Sequence, residues 1–284
     1  MRVGLYINSR KKKLPDVLDI IFEIFSLDKG EIVFLNAFEY INSKYDFKYD
    51  PKNMSKNSDY DILLAIGGDG TTMSAIRSQF HNNKPILGIH VGNLGFLAES
   101  DLDSCRNVLE QLLKKQFDTQ LRSVFNVMVD GQSYTSINDV VIDRGESGRI
   151  IRLNVFDRGK KVNSYEGDGL IISTANGSTG YSLSAGGPII SPDLHLFTLT
   201  PICSHSLMTR TIVLSQNSNL SIQFPDGQDK GKLTIDGQNT LQLSENMKID
   251  IKISSKKVPF IMLDDSDYYN KLKTKMGWYN PRND

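Results

Sequence analysis

The chain has 284 residues, 39% hydrophobic and 23% charged, which allows two domains of ordinary size with packed cores and excludes wholesale disorder. Lys and Arg balance Asp and Glu at 33 each, which points away from a nucleic-acid partner and from a polybasic membrane contact. Two cysteines, Cys105 and Cys203, are too few for a disulfide framework or a cysteine-rich zinc site, and they fit a reducing compartment, the cytoplasm.

The N-terminal MRVGLYINSRKKK places its basic run after the apolar stretch, the reverse of a secretory signal. No apolar run reaches the roughly 18 residues of a spanning helix. Residues 3–7 read as a strand, 14–27 as a helix with Leu18, Ile21, Phe22 and Phe25 at helical spacing, and 32–35 as a strand. The polar stretch 42–58 reads as a loop. Strand 61–66, helix 72–79, strand 86–90 and helix 102–116 follow. This alternation predicts an α/β, Rossmann-like domain with a parallel sheet over residues 1–118.

The texture changes near Phe117. Short alternating segments at 125–129, 134–142, 151–156, 161–165, 220–224, 233–235, 249–253 and 259–263 predict an all-β sandwich over 119–263. Asp130-Gly131 and Arg158-Gly159 are hairpin turn signals. Residues 268–276 read as a short helix before a basic tail.

Four segments carry chemistry. The first is Gly67-Gly68-Asp69-Gly70-Thr71, between an apolar strand and a helix. Glycines here are expected to supply positive φ and close ligand approach, and the helix N-terminus favours a phosphate. Gly67, Gly68 and Thr71 are thus candidate phosphate binders. A carboxylate would repel phosphate, so Asp69 is better suited to take a proton from a hydroxyl or to hold a metal. The same pattern also fits a strand-to-helix turn with Asp69 as a cap. The Gly-Lys-Ser/Thr ending of a Walker loop is missing. The second segment, GIHVGNLGF at 88–96, again follows a strand, and Phe96 is available to pack on a planar ring or in the core. Third, Asn138-Asp139 offers donors and acceptors to a nucleoside, or makes a simple turn. The fourth, residues 165–188, is rich in small and hydroxylic residues and suits a polar planar ligand. His81, His90, His195 and His205 share no metal-ligand spacing, and no Gly-x-Ser-x-Gly elbow occurs.

In this order the segments resemble the NAD kinase family. The GGDGT turn, the GIHVGNLGF loop, Asn138-Asp139 and DGLIIST…GSTGYSLSAGGP match its motifs, and TPICSH at 200–205, IDGQ at 235–238 and the terminal KLKTKMGW also look like family segments. The resemblance spans roughly residues 60–280. It implies a Rossmann-like domain and a β-sandwich domain, with the tail 264–284 packing back on the first. It implies phosphorylation of NAD to NADP with ATP or another donor, such as polyphosphate, and a divalent metal, usually magnesium, carried with ATP. It also implies a homodimer or homotetramer whose nucleotide site is completed across subunits.

By position, Asp69 resembles the base for the 2′-hydroxyl of the adenosine ribose, and Gly70 a contact to the same nucleotide. Asn138 and Asp139 would bind the adenine and ribose region, and Asp168 would approach the nicotinamide end. Thr179, Gly180, Tyr181, Ser182, Leu183 and Ser184 would line the adenine pocket, with Tyr181 stacking. Arg149 and Gln238 match further contact positions, and Phe96 and Glu166 are further candidate contacts to the dinucleotide. Asp139 stands where the family more often has Glu. Glu166 stands where several relatives have arginine, and its charge leaves the choice between NAD and NADH open. A lipid kinase of the diacylglycerol type shares the GGDGT turn, and a non-catalytic dinucleotide sensor would share the pocket.

Overall fold

The computed structural model describes residues 1–27, 31–36, 59–92, 95–225, 230–263 and 267–278. The expected loop at 42–58 lies outside them, as do Asn93 and Leu94. The chain forms two compact units, Met1–Gln120 with Val258–Asp284, and Leu121–Lys257.

The first unit begins β1 (Arg2–Ile7), α1 (Leu14–Leu27), β2 (Glu31–Phe34), β3 (Ile62–Gly67), α2 (Asp69–Gln79), β4 (Ile86–His90) and α3 (Cys105–Leu113), and β5 (Asp118–Arg122) runs across its boundary at Gln120 while pairing in its sheet. The second contains β6 (Phe125–Val129), β7 (Gln132–Ser136), β8 (Asp139–Asp143), β9 (Ile151–Asp157), β10 (Lys160–Gly167), β11 (Gly169–Thr174), the short helix α4 (Tyr181–Ser184), β12 (Leu196–Ile202), β13 (Ile212–Ser215), β14 (Asn219–Gln223), β15 (Lys230–Ile235), β16 (Asn239–Ser244) and β17 (Ile249–Ile253). The chain then returns to the first unit with β18 (Val258–Met262) and α5 (Tyr268–Met276).

In the first unit a six-stranded sheet runs β2-β1-β3-β4-β18-β5. The pairs β1–β2, β1–β3, β3–β4 and β4–β18 are parallel. Every residue of β3 is buried, as a near-continuous apolar strand in a parallel sheet must be. Leu14, Val17, Leu18, Ile21 and Phe25 of α1 and Val108, Leu109 and Leu112 of α3 form one core cluster with Leu5, Leu64, Ile66, Leu87 and Ile89. Helix α3 is shorter than the expected 102–116. Asp101 Oδ1 accepts from the Ser104 amide at 2.9 Å and so closes a turn just before it.

The second unit packs two six-stranded sheets, β10-β9-β14-β17-β6-β7 and β13-β12-β11-β8-β15-β16, whose pairs are antiparallel. Inward residues of both sheets, among them Val127, Leu153, Ile222 and Ile251 from one and Ile142, Leu170, Ile172 and Leu199 from the other, share a core. Phe125 meets Phe197 edge-on within it, centroids 5.4 Å apart. Strand β11 is buried along its whole length. Helix α4 meets its neighbour β12, where the Ser182 and Thr200 hydroxyls lie 3.0 Å apart.

Two expectations need correction. The strand at 134–142 is broken into β7 and β8, because the amides of residues 137–139 turn toward a side chain instead of a ladder. The strand at 259–263 is not part of the sandwich. Phe260 pairs with Ile86 in the parallel sheet, so the second boundary falls after residue 257, not 263. Alternation alone cannot distinguish a buried strand of one sheet from that of another. Phe260 is only 1% exposed. Phe260→Ala should lower stability by about 3–5 kcal/mol through loss of burial and a residual cavity. Hydrogen exchange should show the added opening in β3 and β4, with the sandwich strands unaffected.

Candidate functional site

In the first unit the loops after β3 and β4 leave the carboxyl ends of neighbouring parallel strands, the usual place for a ligand crevice. Asp69 opens α2 there. Its carboxylate accepts the Phe96 amide on Oδ2 at 2.8 Å and the Leu97 amide on Oδ1 at 3.1 Å. Hydrogen bonds to a charged acceptor contribute about 1.5–3 kcal/mol each, and two of them fix the plane of the group. A carboxylate has about four lone-pair directions, and among the described residues these two amides are the donors to it. A Cβ on Gly95 would overlap Asp69 Oδ1, so the third glycine of GIHVGNLGF is required for this approach.

The glycines of the turn do not act as expected. Gly68 is extended, at φ −140° and ψ −173°. Neither Gly67, Gly68 nor Gly70 is among the described glycines with positive φ. Gly67 is required for another reason, since a Cβ there would collide with the Thr71 side chain. Thr71 is buried, with its hydroxyl 3.4 Å from the Gly68 amide and from Asn8 Nδ2, while its own amide donates to the Gly68 carbonyl at 2.9 Å. Thr71 therefore shapes the turn from within. Gly68 has open space on its Cβ side.

Phe96 is half-buried, not in the core, and Lys275 lies 5.7 Å from its ring centroid. His90 is buried, and desolvation lowers its pKa against the raising effect of Asp101 and Asp69, so the ring is neutral at neutral pH. Lys11 and Lys275 also act on it electrostatically.

In the second unit the organising group is Asp236, buried at the tip of the β15–β16 hairpin, where Asp236 and Gly237 both have positive φ. Its Oδ1 accepts the Ser136 hydroxyl at 2.9 Å and the amides of Ile137, Asn138 and Asp139 at 3.0, 2.8 and 3.3 Å. The Asn138 carbonyl is fixed from the other side by the Thr174 amide at 2.9 Å. Asn138 Oδ1 is then left buried with no hydrogen-bond partner among the described residues. A buried acceptor without a donor is costly unless a ligand supplies one. Asp139 is buried too, and desolvation together with the Asp236 charge pushes its pKa up to about 7.

The expected residues of the second unit divide into groups. A Cβ on Gly180 would lie 3.9 Å from Asp139 Oδ2, so Gly180 and Tyr181 adjoin the Asn138-Asp139 turn. Tyr181 is 48% exposed, its ring available for stacking, and burial and the carboxylates Asp143, Asp168 and Asp139 raise its phenol pKa. Thr179 and Leu183 are half-buried, and Ser184 is exposed. Ser182 is fully buried and bonded to Thr200, so it supports the floor and does not line the pocket. Asp168 pairs with Arg144 at 3.2 Å. Glu166 pairs with Arg152, its cross-strand neighbour, at 2.9 Å, so the expected reversal of local charge is offset. Arg149 and Gln238 are exposed on loops. Sequence reasoning missed the roles of Asp236, Arg144 and Arg152. The Asp-Gly turn signal was present for the first, and register for the last emerges only in the folded sheet.

The comparisons agree with this layout. Residues 26–117 match the ATP-NAD kinase N-terminal domain, and residues 137–263 match the ATP-NAD kinase C-terminal domain. The NAD kinase of Clostridium beijerinckii is 36% identical over 279 residues, covering 96% of this chain and 95% of that protein. The NAD kinase of Lachnoclostridium phytofermentans is 37% identical over 230 residues, covering 77% and 81%. The chain belongs to the NAD kinase family. It is accordingly an enzyme, a kinase, and the lipid-kinase alternative falls away. The fold is shared with yeast NADH kinase solved with NADH, at a TM-score of 0.83 and 22% identity over 99% of this chain and 88% of that one. It is also shared with an NAD kinase from Archaeoglobus fulgidus solved with ATP, at a TM-score of 0.76 and 21% identity over 99% and 100%.

Two outcomes follow from the geometry. Gly95→Ala should displace the Asp69 carboxylate and cut kcat by about a hundredfold, and the melting temperature should fall with the loss of the two amide bonds. For Asp139 the folded-state pKa is raised, from an unfolded value near 4 to about 7. Its favourable contribution is therefore complete below about pH 4 and lost as pH rises through about 7. In denaturant melts, Asp139→Asn should flatten that decline and leave the protein more stable than its parent at pH 8.

Proposed function

We propose that the chain transfers the terminal phosphoryl group of ATP to the 2′-hydroxyl of the adenosine ribose of NAD, giving NADP, with Asp69 as general base. The observation that carries this reading is the Asp69 carboxylate itself. It sits at a helix N-terminus beside a glycine turn, and two backbone amides hold its plane while other lone pairs stay open. That arrangement orients a hydroxyl and accepts its proton as the phosphoryl group is transferred in line. Gly67, Gly68 and Thr71 form the phosphate turn, Thr71 by shaping it, and Gly70 contacts the nucleotide.

The dinucleotide is read by the second unit. Asn138 Oδ1, buried and without a partner among the described residues, accepts a donor from the ligand. Asp139 binds the adenine and ribose region. Tyr181 stacks on the base, with Thr179, Gly180, Leu183 and Ser184 around it. Phe96, Arg149, Asp168 and Gln238 are further contacts. The Glu166–Arg152 pair leaves no net charge at that point to favour NAD or NADH.

A divalent cation, magnesium by chemistry, enters with ATP as part of the substrate. Among the described residues no group of three or more His, Cys, Asp or Glu could hold it. The active species is a homodimer or homotetramer in the cytoplasm. Among the described residues no helix is long and apolar enough to cross a membrane.

Asp69→Asn should keep its fold by circular dichroism and lose about 10²–10⁴-fold in turnover. A coupled assay of NADP formation with ATP or polyphosphate as donor and NADH as competitor checks both base and donor. Near-parental turnover in Asp69→Asn would remove the assignment. Tight NAD binding with no turnover in the parent would instead favour a sensor.

A further inference from the structure

We propose that helix α5 positions the catalytic carboxylate, acting through the ion pair Lys271–Glu99 and the loop this pair holds. The proposal rests on the reading of Asp69 as the base.

The Lys271 ammonium donates to the Ala98 carbonyl at 2.8 Å and to Glu99 Oε1 at 2.9 Å. The two side chains are only 13% and 4% exposed. Burying an ammonium and a carboxylate is weak as a source of stability, because desolvation cancels much of the attraction. What the pair does achieve is location. Residues 98 and 99 directly follow Phe96 and Leu97, the two residues whose amides hold Asp69.

On its other side the same loop is bonded to β4. The Glu99 amide donates to the Gly88 carbonyl at 3.1 Å, and the His90 amide to the Ser100 carbonyl at 2.7 Å. The loop is thus held between a sheet strand and a helix from the far end of the chain. Lys275 stands four residues after Lys271, on the same helical face, and lies 5.7 Å from the Phe96 ring centroid. Two lysines of one face therefore contact successive points of the segment 96–99.

The helix is built to present them. Asp267 caps its start by accepting from the Asn270 amide at 2.9 Å, and Gly277 ends it in the left-handed region at φ 64°. Leu272 is its buried residue. One apolar anchor fixes a helix poorly, so the polar contacts set where it sits. Displacing the 96–99 loop would shift both amides and with them the Asp69 plane.

Lys271→Met should lower kcat roughly tenfold to a hundredfold, with KM for NAD within about twofold. Hydrogen exchange at the Phe96 and Leu97 amides should quicken by at least about tenfold, a fluctuation the core strands do not share. Lys271→Arg, which can still donate to both oxygens, should restore most of the rate and the protection. If Lys271→Met fails to fold, Glu99→Gln is measured in its place with the same expectations. Parental kcat, or a kcat loss without faster exchange at 96–97, or a change confined to KM, overturns the proposal. An inactive Asp69→Asn beside a fully active Lys271→Met removes the clamp and leaves the base. Parental turnover in Asp69→Asn removes the base itself.

Discussion

The architecture turns on one interaction used twice, a carboxylate that collects backbone amides from a distant loop. Asp236 draws in the amides of residues 137–139 across 98 positions of chain at Asn138, and so breaks what would be one long strand into β7 and β8. Asp69 takes the amides of Phe96 and Leu97, 27 and 28 residues away. Each bond joins a strong acceptor to a donor that would otherwise be unpaired, and such bonds are expensive to lose. The ligand-facing groups inherit their positions from them.

The two cases differ in what the charge does next. Asp236 spends its acceptor capacity inward, on Ser136 and three amides, and its remaining effect is to burden Asp139 with a neighbouring charge. Asp69 keeps lone pairs to spare at the end of a parallel strand. A carboxylate that serves the fold and one proposed for chemistry thus differ in what else reaches them, not in residue type or local sequence. Both lie beside a glycine in an Asp-Gly pair.

Much of the fold was legible because it rests on periodicity. The 14–27 helix, the run ILLAIG and the hairpins at Asp130-Gly131 and Arg158-Gly159 follow from spacing and turn chemistry, and each forms as expected. The candidate site was legible as motifs but not as contacts. Nothing local says that Gly95 is small to admit Asp69, that Ser182 faces the floor, or that Arg152 cancels Glu166. Those facts depend on register and on which loop returns to which strand. The misassigned strand at 259–263 has the same origin, since its burial pattern suits either sheet and only long-range pairing places it beside Ile86.

The distances along the chain have a consequence for synthesis. The turn that carries Asn138 cannot close until Asp236 has left the ribosome, about a hundred residues later. The loop whose amides hold Asp69 lacks its Lys271 support until the chain has grown a further 173 residues beyond Ala98. A nascent chain can therefore build most of both sheets while its site is still unassembled. A product stopped before α5 would look largely folded, yet the loop that holds Asp69 would lack one of its supports.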